Sequence, residues 1–251
     1  MTTWLPPDLC TPVLHQAARV VEVVQENHRT RTFTLDIHLS NAVPGQFVMV
    51  WLPGINEKPI SLMDNAPVRF TVAAIGPFTQ ALHRVPVGDR VWIRGPFGRG
   101  FTLQGQNIVL VGGGYGVAPL YFLARQALVQ GMGVTAVIGA RTRADLLFEE
   151  RFQSLGVPTL LTTDDGSYGQ QGVVTDALRS LLEGTEVSVD EVYACGPEPM
   201  LLAVRDMCLH YGVPVQLSWA RVMRCGMGIC GSCARDGWLV CRDGPVERVY
   251  T

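Results

Sequence analysis

The sequence predicts a β + α/β fold: an N-terminal antiparallel β-barrel, then a doubly wound parallel-sheet domain, then a small cysteine-rich module. Three observations carry that reading. Short β-branched and aromatic runs, separated by turn residues, fill the first hundred positions. Beyond Gly105-Gln106 the rhythm changes to apolar strands alternating with helical stretches of ten or so residues. The last part of the chain carries Cys225, Cys230, Cys233 and Cys241, spaced C-x4-C-x2-C-x7-C. The predicted boundaries are 1–104, 105–217 and 218–251.

In the first segment, residues 18–26, 32–38, 46–51, 70–75 and 90–94 read as strands. Val43-Pro44-Gly45 and Val87-Gly88-Asp89-Arg90 supply turns between them, and a helical stretch is expected near 79–84. Short strands at such regular spacing suggest a closed barrel. In the second segment, 108–111 is a continuous apolar strand, followed by a glycine loop and a helical pattern through residue 128. Strands at 134–138, 159–163, 191–195 and 215–217 then alternate with helices at 145–155, 173–182 and 199–210. Parallel strands joined by crossover helices place those helices on both faces of one sheet.

Composition narrows the function classes. The chain has 251 residues, 47% of them hydrophobic and 17% charged, which supports a substantial core and argues against disorder. A net charge of −2 gives no electrostatic reason to expect nucleic acid. Seven cysteines, and a start (Met1-Thr2-Thr3-Trp4-Leu5-Pro6-Pro7) with neither a basic flank nor an apolar h-region, predict a soluble protein of the reducing cytoplasm. The longest uncharged stretch, 107–124, is interrupted by five Gly or Pro residues and reads as strand, loop and helix start rather than a membrane span.

Four motifs carry candidate chemistry. The C-x4-C-x2-C run is the spacing that wraps a [2Fe–2S] cluster, and Gly226, Gly228 and Gly231 allow the tight turns such a loop needs. A structural zinc site, normally built from two separated C-x2-C pairs, is the alternative; only one such pair is present. Gly112-Gly113-Gly114-Tyr115-Gly116-Val117-Ala118-Pro119 follows a strand directly and suits a pyrophosphate at a helix start, although the G-x-G-x-x-G fingerprint is not met at Val117. Pro119 fits the first helical turn. Cys195-Gly196-Pro197-Glu198-Pro199-Met200 ends another strand, so its loop is expected to face the same crevice. Lys58-Pro59-Ile60-Ser61 places a cation beside a hydroxyl, which suits a phosphate. Gly95-Pro96-Phe97-Gly98-Arg99-Gly100-Phe101 closes the barrel. The histidines at 15, 28, 38, 83 and 210 show no mutual spacing and are read as structural or surface residues; Cys10 and Cys208 receive no role.

With these parts in this order, the chain resembles the ferredoxin–NAD(P)+ reductase superfamily, and more narrowly the electron-transfer subunits of class 1B dihydroorotate dehydrogenases. The resemblance covers nearly the whole chain. It implies that Lys58, Pro59, Ile60 and Ser61 hold the FAD pyrophosphate, with Thr71, Val72, Ala73, Phe78 and Thr79 making further flavin contacts. It implies that Gly112, Gly113, Gly114 and Gly116, with Asp164, Cys195, Gly196 and Pro197, bind NAD. Thr163-Asp164-Asp165-Gly166-Ser167-Tyr168-Gly169 is similar to a segment lining that site. Cys225, Cys230, Cys233 and Cys241 would ligate the cluster.

The resemblance further implies an FMN-containing catalytic subunit as partner, in a heterotetramer with two copies of each chain. Electrons would run from dihydroorotate through FMN, cluster and FAD to NAD+, in pyrimidine (UMP) biosynthesis. No residue of this chain receives a catalytic role on dihydroorotate itself. Gly228, Ile229 and Gly231 would rim the docking surface. Lysine stands where many members have arginine at position 58, Ala220 where an acid is expected, and Phe78 where glycine is usual. Gly139-Ala140-Arg141-Thr142-Arg143 would also permit a 2′-phosphate on charge, while the resemblance favours NAD. Two other readings stay open: a diaphorase-type NAD(P)H reductase subunit of a hydrogenase or ferredoxin-dependent enzyme, and a non-catalytic zinc-binding interaction module.

Overall fold

The computed structural model describes residues 14–184 and 188–250, so Cys10 and the first residues of the chain lie outside the described part. Six antiparallel strands close the barrel in the order β1-β2-β5-β4-β3-β6. They are β1 (Gln16–Asn27), β2 (Thr30–Leu35), β3 (Phe47–Leu52), β4 (Asn56–Asn65), β5 (Val68–Ala73) and β6 (Arg90–Phe97). A short helix, α1 (Pro77–Leu82), connects β5 to β6. β1 serves two neighbours, pairing with β6 through its first residues and with β2 through the rest, and bulges let it bend between them.

β4 is the strand that the sequence did not reveal. Pro59 cannot donate to a ladder and normally argues against a strand interior. Here β4 pairs with β3 along Asn56 to Ser61 but with β5 only from Leu62 onward, so Pro59 sits on a stretch with an open second edge.

β3 explains why some barrel strands are apolar throughout instead of alternating. Val48, Val50 and Leu52 enter the barrel core with Phe33, Phe70 and Ile93, while Phe47 and Met49 point outward into a different apolar cluster. Side chains on alternate faces of one strand thus meet two separate cores. Each fully buried side chain of this size contributes about 1.5–3 kcal/mol.

The second domain is a seven-stranded sheet. Its strands are β7 (Asn107–Gly113), β8 (Gly133–Ala140), β9 (Thr159–Thr163), β10 (Gln170–Gln171), β11 (Glu191–Cys195), β12 (Val215–Ser218) and, later in the chain, β15 (Val246–Val249). The order is β10-β9-β8-β7-β11-β12-β15, parallel except for β15. On one face, α2 (Val117–Val129) and α3 (Glu149–Ser154) pack on Ile108 and Leu110. On the other, α4 (Val174–Glu183) and α5 (Glu198–Tyr211) pack on Val109 and Val111. Both faces of β7 are therefore covered, which is what its unbroken apolar run demands. α5 stops at Gly212, whose φ of +69° suits a left-handed cap. α2 lies between sheet and barrel: Phe122 enters the barrel core and Arg125 pairs with Asp64 of β4.

One expectation changes. The helix expected over 145–155 is a 3-10 turn at Arg143–Asp145 and then α3 alone. Leu147 and Phe148 leave the helical path to bury their side chains, and Phe148 stacks edge-on against Tyr121. The terminal segment is joined to the sheet at its far end. The cysteine loop, with β13 (Ala234–Arg235), β14 (Trp238–Leu239) and α6 (Val240–Asp243), is inserted between β12 and β15, and β15 returns to the sheet edge.

Candidate functional site

The sheet order reverses between β7 and β11, since β8 lies on one side of β7 and β11 on the other. Ligands of open α/β sheets bind in the crevice that such a reversal leaves beyond the strand ends. The register pairs Gly112 with Cys195 there, so the two loops expected to converge do so. A side chain at Gly116 would lie 2.5 Å from the Cys195 carbonyl oxygen, and one at Gly113 would meet Met200 and Pro197. Those glycines seat loop on loop. Gly114 is different: its φ is +54° and nothing lies within 4 Å of the position a Cβ would take, so it faces open space. Cys195 is pushed up to about 11 by burial, partly offset by the Ser218 hydroxyl, which keeps it a neutral thiol near pH 7. Asp164 is exposed at the end of β9, two strands out from β7, with its backbone N–H on the Ala140 carbonyl at 3.1 Å. It borders the Arg141–Arg143 turn rather than the glycine loop. Arg143 lies 4.7 Å over the Tyr168 ring, and its N–H donates to Ser167 Oγ at 2.8 Å.

The barrel residues gather at a seam. β4 and β5 part beyond the Leu62–Phe70 pair, so Lys58, Pro59, Ile60 and Ser61 keep only β3 as a partner, and Thr71, Val72 and Ala73 only β2. Backbone edges left unpaired in this way can accept a ligand. Ile60 and Val72 point into the barrel core. The Thr71 hydroxyl bonds Thr32 at 2.8 Å and lies against Met63, on the side of the barrel that faces α2. The Phe78 ring is only 5% exposed and belongs to the barrel core. The Thr79 hydroxyl accepts the Ile75 and Gly76 N–H groups at the start of α1. These two side chains are therefore engaged in structure, Phe78 in the barrel core and Thr79 at the start of α1.

Lys58 is the single lysine among the chain's 20 basic residues. Its neighbour Glu57 cannot neutralise it. Arg94 donates two hydrogen bonds to Glu57, both 2.7 Å, and His15 lies 2.8 Å from the same carboxylate. Burial raises the Glu57 pKa, but these partners outweigh it and hold it below the ordinary value. The Lys58 ammonium is left without a carboxylate among the described residues, as a phosphate-binding cation requires.

Around the cysteine loop the thiols fall into two pairs. Cys233 and Cys241 Sγ are 3.2 Å apart, and Cys225 and Cys230 interact through side chain and backbone. Two pairs of thiolates match a two-iron centre, which takes two sulfurs per iron. Backbone N–H groups point at the sulfurs: Gly228 to Cys241 at 3.1 Å, Ile229 and Cys230 to Cys225 at 3.4 Å, and Cys241 to Cys233 at 3.4 Å. Such donors stabilise the negative charge of thiolate. The Ser232 hydroxyl, with its own N–H, brings exposed Cys230 down to about 6, whereas burial and Cys233 push Cys241 up to about 12. Gly226, at φ +74°, lies where a Cβ would strike Met49, so the loop presses on the outer face of the barrel. Ile229 is 78% exposed beside exposed Cys230, leaving one edge of the loop open to a partner.

Comparison with known proteins agrees with this geometry. Residues 110–206 match the model of the oxidoreductase NAD-binding domain, and 220–249 that of the iron-sulfur cluster binding domain of dihydroorotate dehydrogenase B. A curated relative from Methanocaldococcus jannaschii, "probable dihydroorotate dehydrogenase B (NAD(+)), electron transfer subunit", is 39% identical over 91% of this chain and 87% of its own. One of the same description from Thermococcus kodakarensis is 41% identical over 93% and 96%.

The chain belongs to the dihydroorotate dehydrogenase B electron transfer subunit family. It is accordingly a subunit of an NAD-dependent flavin and iron–sulfur oxidoreductase, with FAD, a [2Fe–2S] cluster and NAD as its cofactors. A solved structure described as an NADH-dependent reduced ferredoxin-NADP oxidoreductase superposes with a TM-score of 0.83 at 32% identity, covering 92% of this chain and 87% of that one. A ferredoxin reductase of carbazole 1,9a-dioxygenase shares the fold, with a TM-score of 0.69 at 24% identity. No helix among the described residues is long and apolar enough to cross a membrane.

Sequence reading gave no individual role to several residues that join the parts of this chain or border the converging loops. Glu198 takes both Arg221 and Arg235, Trp219 is buried under Arg235, and Tyr115 stands exposed at the lip of the crevice. Glu198 and the two arginines are separated by more than twenty residues in sequence, and no local pattern announces that they meet.

Proposed function

We propose that this chain carries electrons between the FMN of a catalytic dihydroorotate dehydrogenase subunit and NAD+, in pyrimidine (UMP) biosynthesis. The observation that carries this reading is the packing of the parts on one another: a Cβ at Gly226 of the thiol loop would meet Met49 and Phe97 of the barrel, and Met49, Leu201, Cys233 and Cys241 share one apolar cluster. When bound, the flavin and the cluster supply hydride exchange with nicotinamide and one-electron transfer, respectively. The chain's own residues bind and orient. Lys58 and Ser61 would hold the FAD pyrophosphate, and the open edges of 58–61 and 71–73 would take further polar contacts. The glycine loop and residues 195–197 would seat the nucleotide, with Gly114 at the point of close approach. Cys225 and Cys230 would hold one iron, and Cys233 and Cys241 the other. Exposed Ile229 and Cys230 mark the edge that would meet the partner.

Dihydroorotate oxidation is assigned to the second subunit, in a proposed heterotetramer of two copies of each chain in the cytoplasm. Purification of the native complex with cofactor analysis tests this. FMN is expected in the co-purifying chain, and FAD, iron and acid-labile sulfide in this one; a partner without FMN would transfer the chain to a diaphorase-type role.

Lys58 gives the flavin site its own test. As the single lysine, it and the N-terminal amine are the only primary amines for an amine-specific reagent. In flavin-depleted protein Lys58 is expected to label readily, and in FAD-loaded protein at least roughly tenfold more slowly, because a pyrophosphate ion pair withholds the amine. Equal labelling in the two states, read by peptide mass, would remove Lys58 from the site.

A further inference from the structure

We propose that Glu198 is a positioning residue that ties the nucleotide-binding loops to the cluster-bearing segment, so that nucleotide binding and the environment of the cluster are coupled. The inference rests on the placement of the nucleotide at residues 112–116 and 195–200.

Glu198 opens α5, directly after Pro197. The segment it belongs to is pressed on the glycine loop: Pro197 and Met200 lie where a side chain at Gly113 would be, and the Cys195 carbonyl where one at Gly116 would be. A nucleotide that orders or displaces the glycine loop therefore acts on residues 195–200 by direct contact. Packed segments of this kind shift as units rather than deform continuously.

The carboxylate of Glu198 points the other way, onto the cysteine module. Arg221 holds both oxygens, at 2.9 and 3.0 Å, and Arg235 donates to Oε1 at 2.7 Å. Arg221 stands four residues before Cys225 and Arg235 two residues after Cys233, so one acid grips both flanks of the thiol loop. Arg235 is not a loose surface cation. Its side chain is 10% exposed, and its guanidinium lies 3.6 Å from the centroid of the buried Trp219 ring. Trp219 is itself fixed, its indole N–H on Glu247 at 2.6 Å and its backbone N–H on the Pro245 carbonyl. The two guanidinium groups hold the Glu198 carboxyl at about 2, so it is ionised throughout the neutral range. Two contacts in series thus run from the glycine loop to residues 195–200 and from Glu198 to the two arginines, which stand on the same chain segment as the thiols, four residues from Cys225 and two from Cys233. Coupling of this kind is reciprocal: whatever nucleotide does to the cluster, reduction of the cluster does to nucleotide affinity.

The test uses holoprotein and ADP-ribose, a nucleotide that cannot accept electrons. The EPR spectrum of the reduced cluster is recorded during an ADP-ribose titration, and ADP-ribose affinity is measured with the cluster oxidised and reduced. In the native protein the spectrum should shift, and affinity should differ by roughly fivefold between the two redox states, the low end of ordinary coupling. Glu198→Gln should abolish both responses and Glu198→Asp should retain them. Arg221→Met should reproduce the loss from the opposite side, with no further effect in the double variant. A native protein without either response, or a response that survives in Glu198→Gln and Arg221→Met, overturns the inference. Gly114→Asn, which tolerates the positive φ but fills the open space there, tests the placement separately. Unchanged ADP-ribose affinity in that variant would show that the nucleotide lies elsewhere, and the inference would then fail at its foundation, not at Glu198.

Discussion

Replacing Cys233 with serine is expected to stop electron transfer to the partner subunit altogether, while NADH oxidation by a dye that draws on the flavin stays within about twofold of native. The reason is local. Cys233 is 1% exposed, packs with Met223, Trp219 and Val240, and faces Cys241 Sγ at 3.2 Å. A hydroxyl is a smaller and harder ligand than a thiolate, and iron–sulfur centres select soft sulfur donors. The pair on one iron is therefore broken, and the backbone N–H of Cys241 loses the sulfur it points at. Residues 58–61 and 71–73 of the seam and 112–116 of the glycine loop contribute no side chain to the apolar cluster that holds this pair. Visible absorbance and acid-labile sulfide should fall together in the purified variant. Transfer to the partner at the native rate would take the cluster off the route. Cys230→Ser is the companion variant: Cys230 is exposed, so its loss should remove the cluster with less damage to packing.

The largest effect on stability is expected at Glu191. Its carboxylate is 1% exposed, on β11, where one oxygen faces Arg248 at 3.2 Å and Gln216 at 3.0 Å and the other the Tyr193 hydroxyl at 2.9 Å. The same Tyr193 and Gln216 hold the chain between barrel and sheet: Gln104 N–H donates to the phenol oxygen, and Thr102 exchanges hydrogen bonds with Gln216. Burial pushes the Tyr193 phenol above its ordinary range, so it remains a neutral donor. Glu191→Ala leaves Arg248 without its carboxylate and takes one of two acceptors from each of the Tyr193 hydroxyl and the Gln216 amide, which retain only the Thr102 carbonyl. Breaking a buried pair in that way costs on the order of 3 kcal/mol, lower than the fully buried case because Arg248 retains some solvent. In a chain of this length the Tm should fall by roughly 6–12 °C. Glu191→Gln, which keeps the shape and one acceptor, should cost less than half as much. A melting temperature within a degree of native for Glu191→Ala would show that the network does not hold the linker.

The site was unevenly legible, and the reasons are physical. Cysteine spacing is a local property, so all four thiols could be named in advance. The strand-then-glycine signal predicted equally well that the loops after β7 and β11 converge, because a loop leaving the end of a parallel strand has few places to go. The flavin residues were harder. Phe78 and Thr79 could be placed in a turn, but not their side chains in the barrel core and the helix cap. The strand Asn56–Asn65 was hidden by Pro59, which is tolerated only because the second edge is open there, and the open edge is a property of the neighbouring strand. The helix expected after Arg143 was shortened by the burial of Leu147 and Phe148, a tertiary demand that periodicity does not contain.

Taken alone, the order of residues determined three things: a barrel followed by a parallel sheet, the crevice beyond Val111, and the thiol set. Each is written in neighbours a few positions apart, where backbone preference and side-chain spacing act. Only the tertiary structure decided how those parts are joined. It brought Val246–Val249 back to the sheet edge, closed Glu191 with Arg248 across the linker, and set Glu198 between Arg221 and Arg235. Those contacts join residues more than twenty positions apart, and they exist because burial of the apolar faces first brings the elements into register.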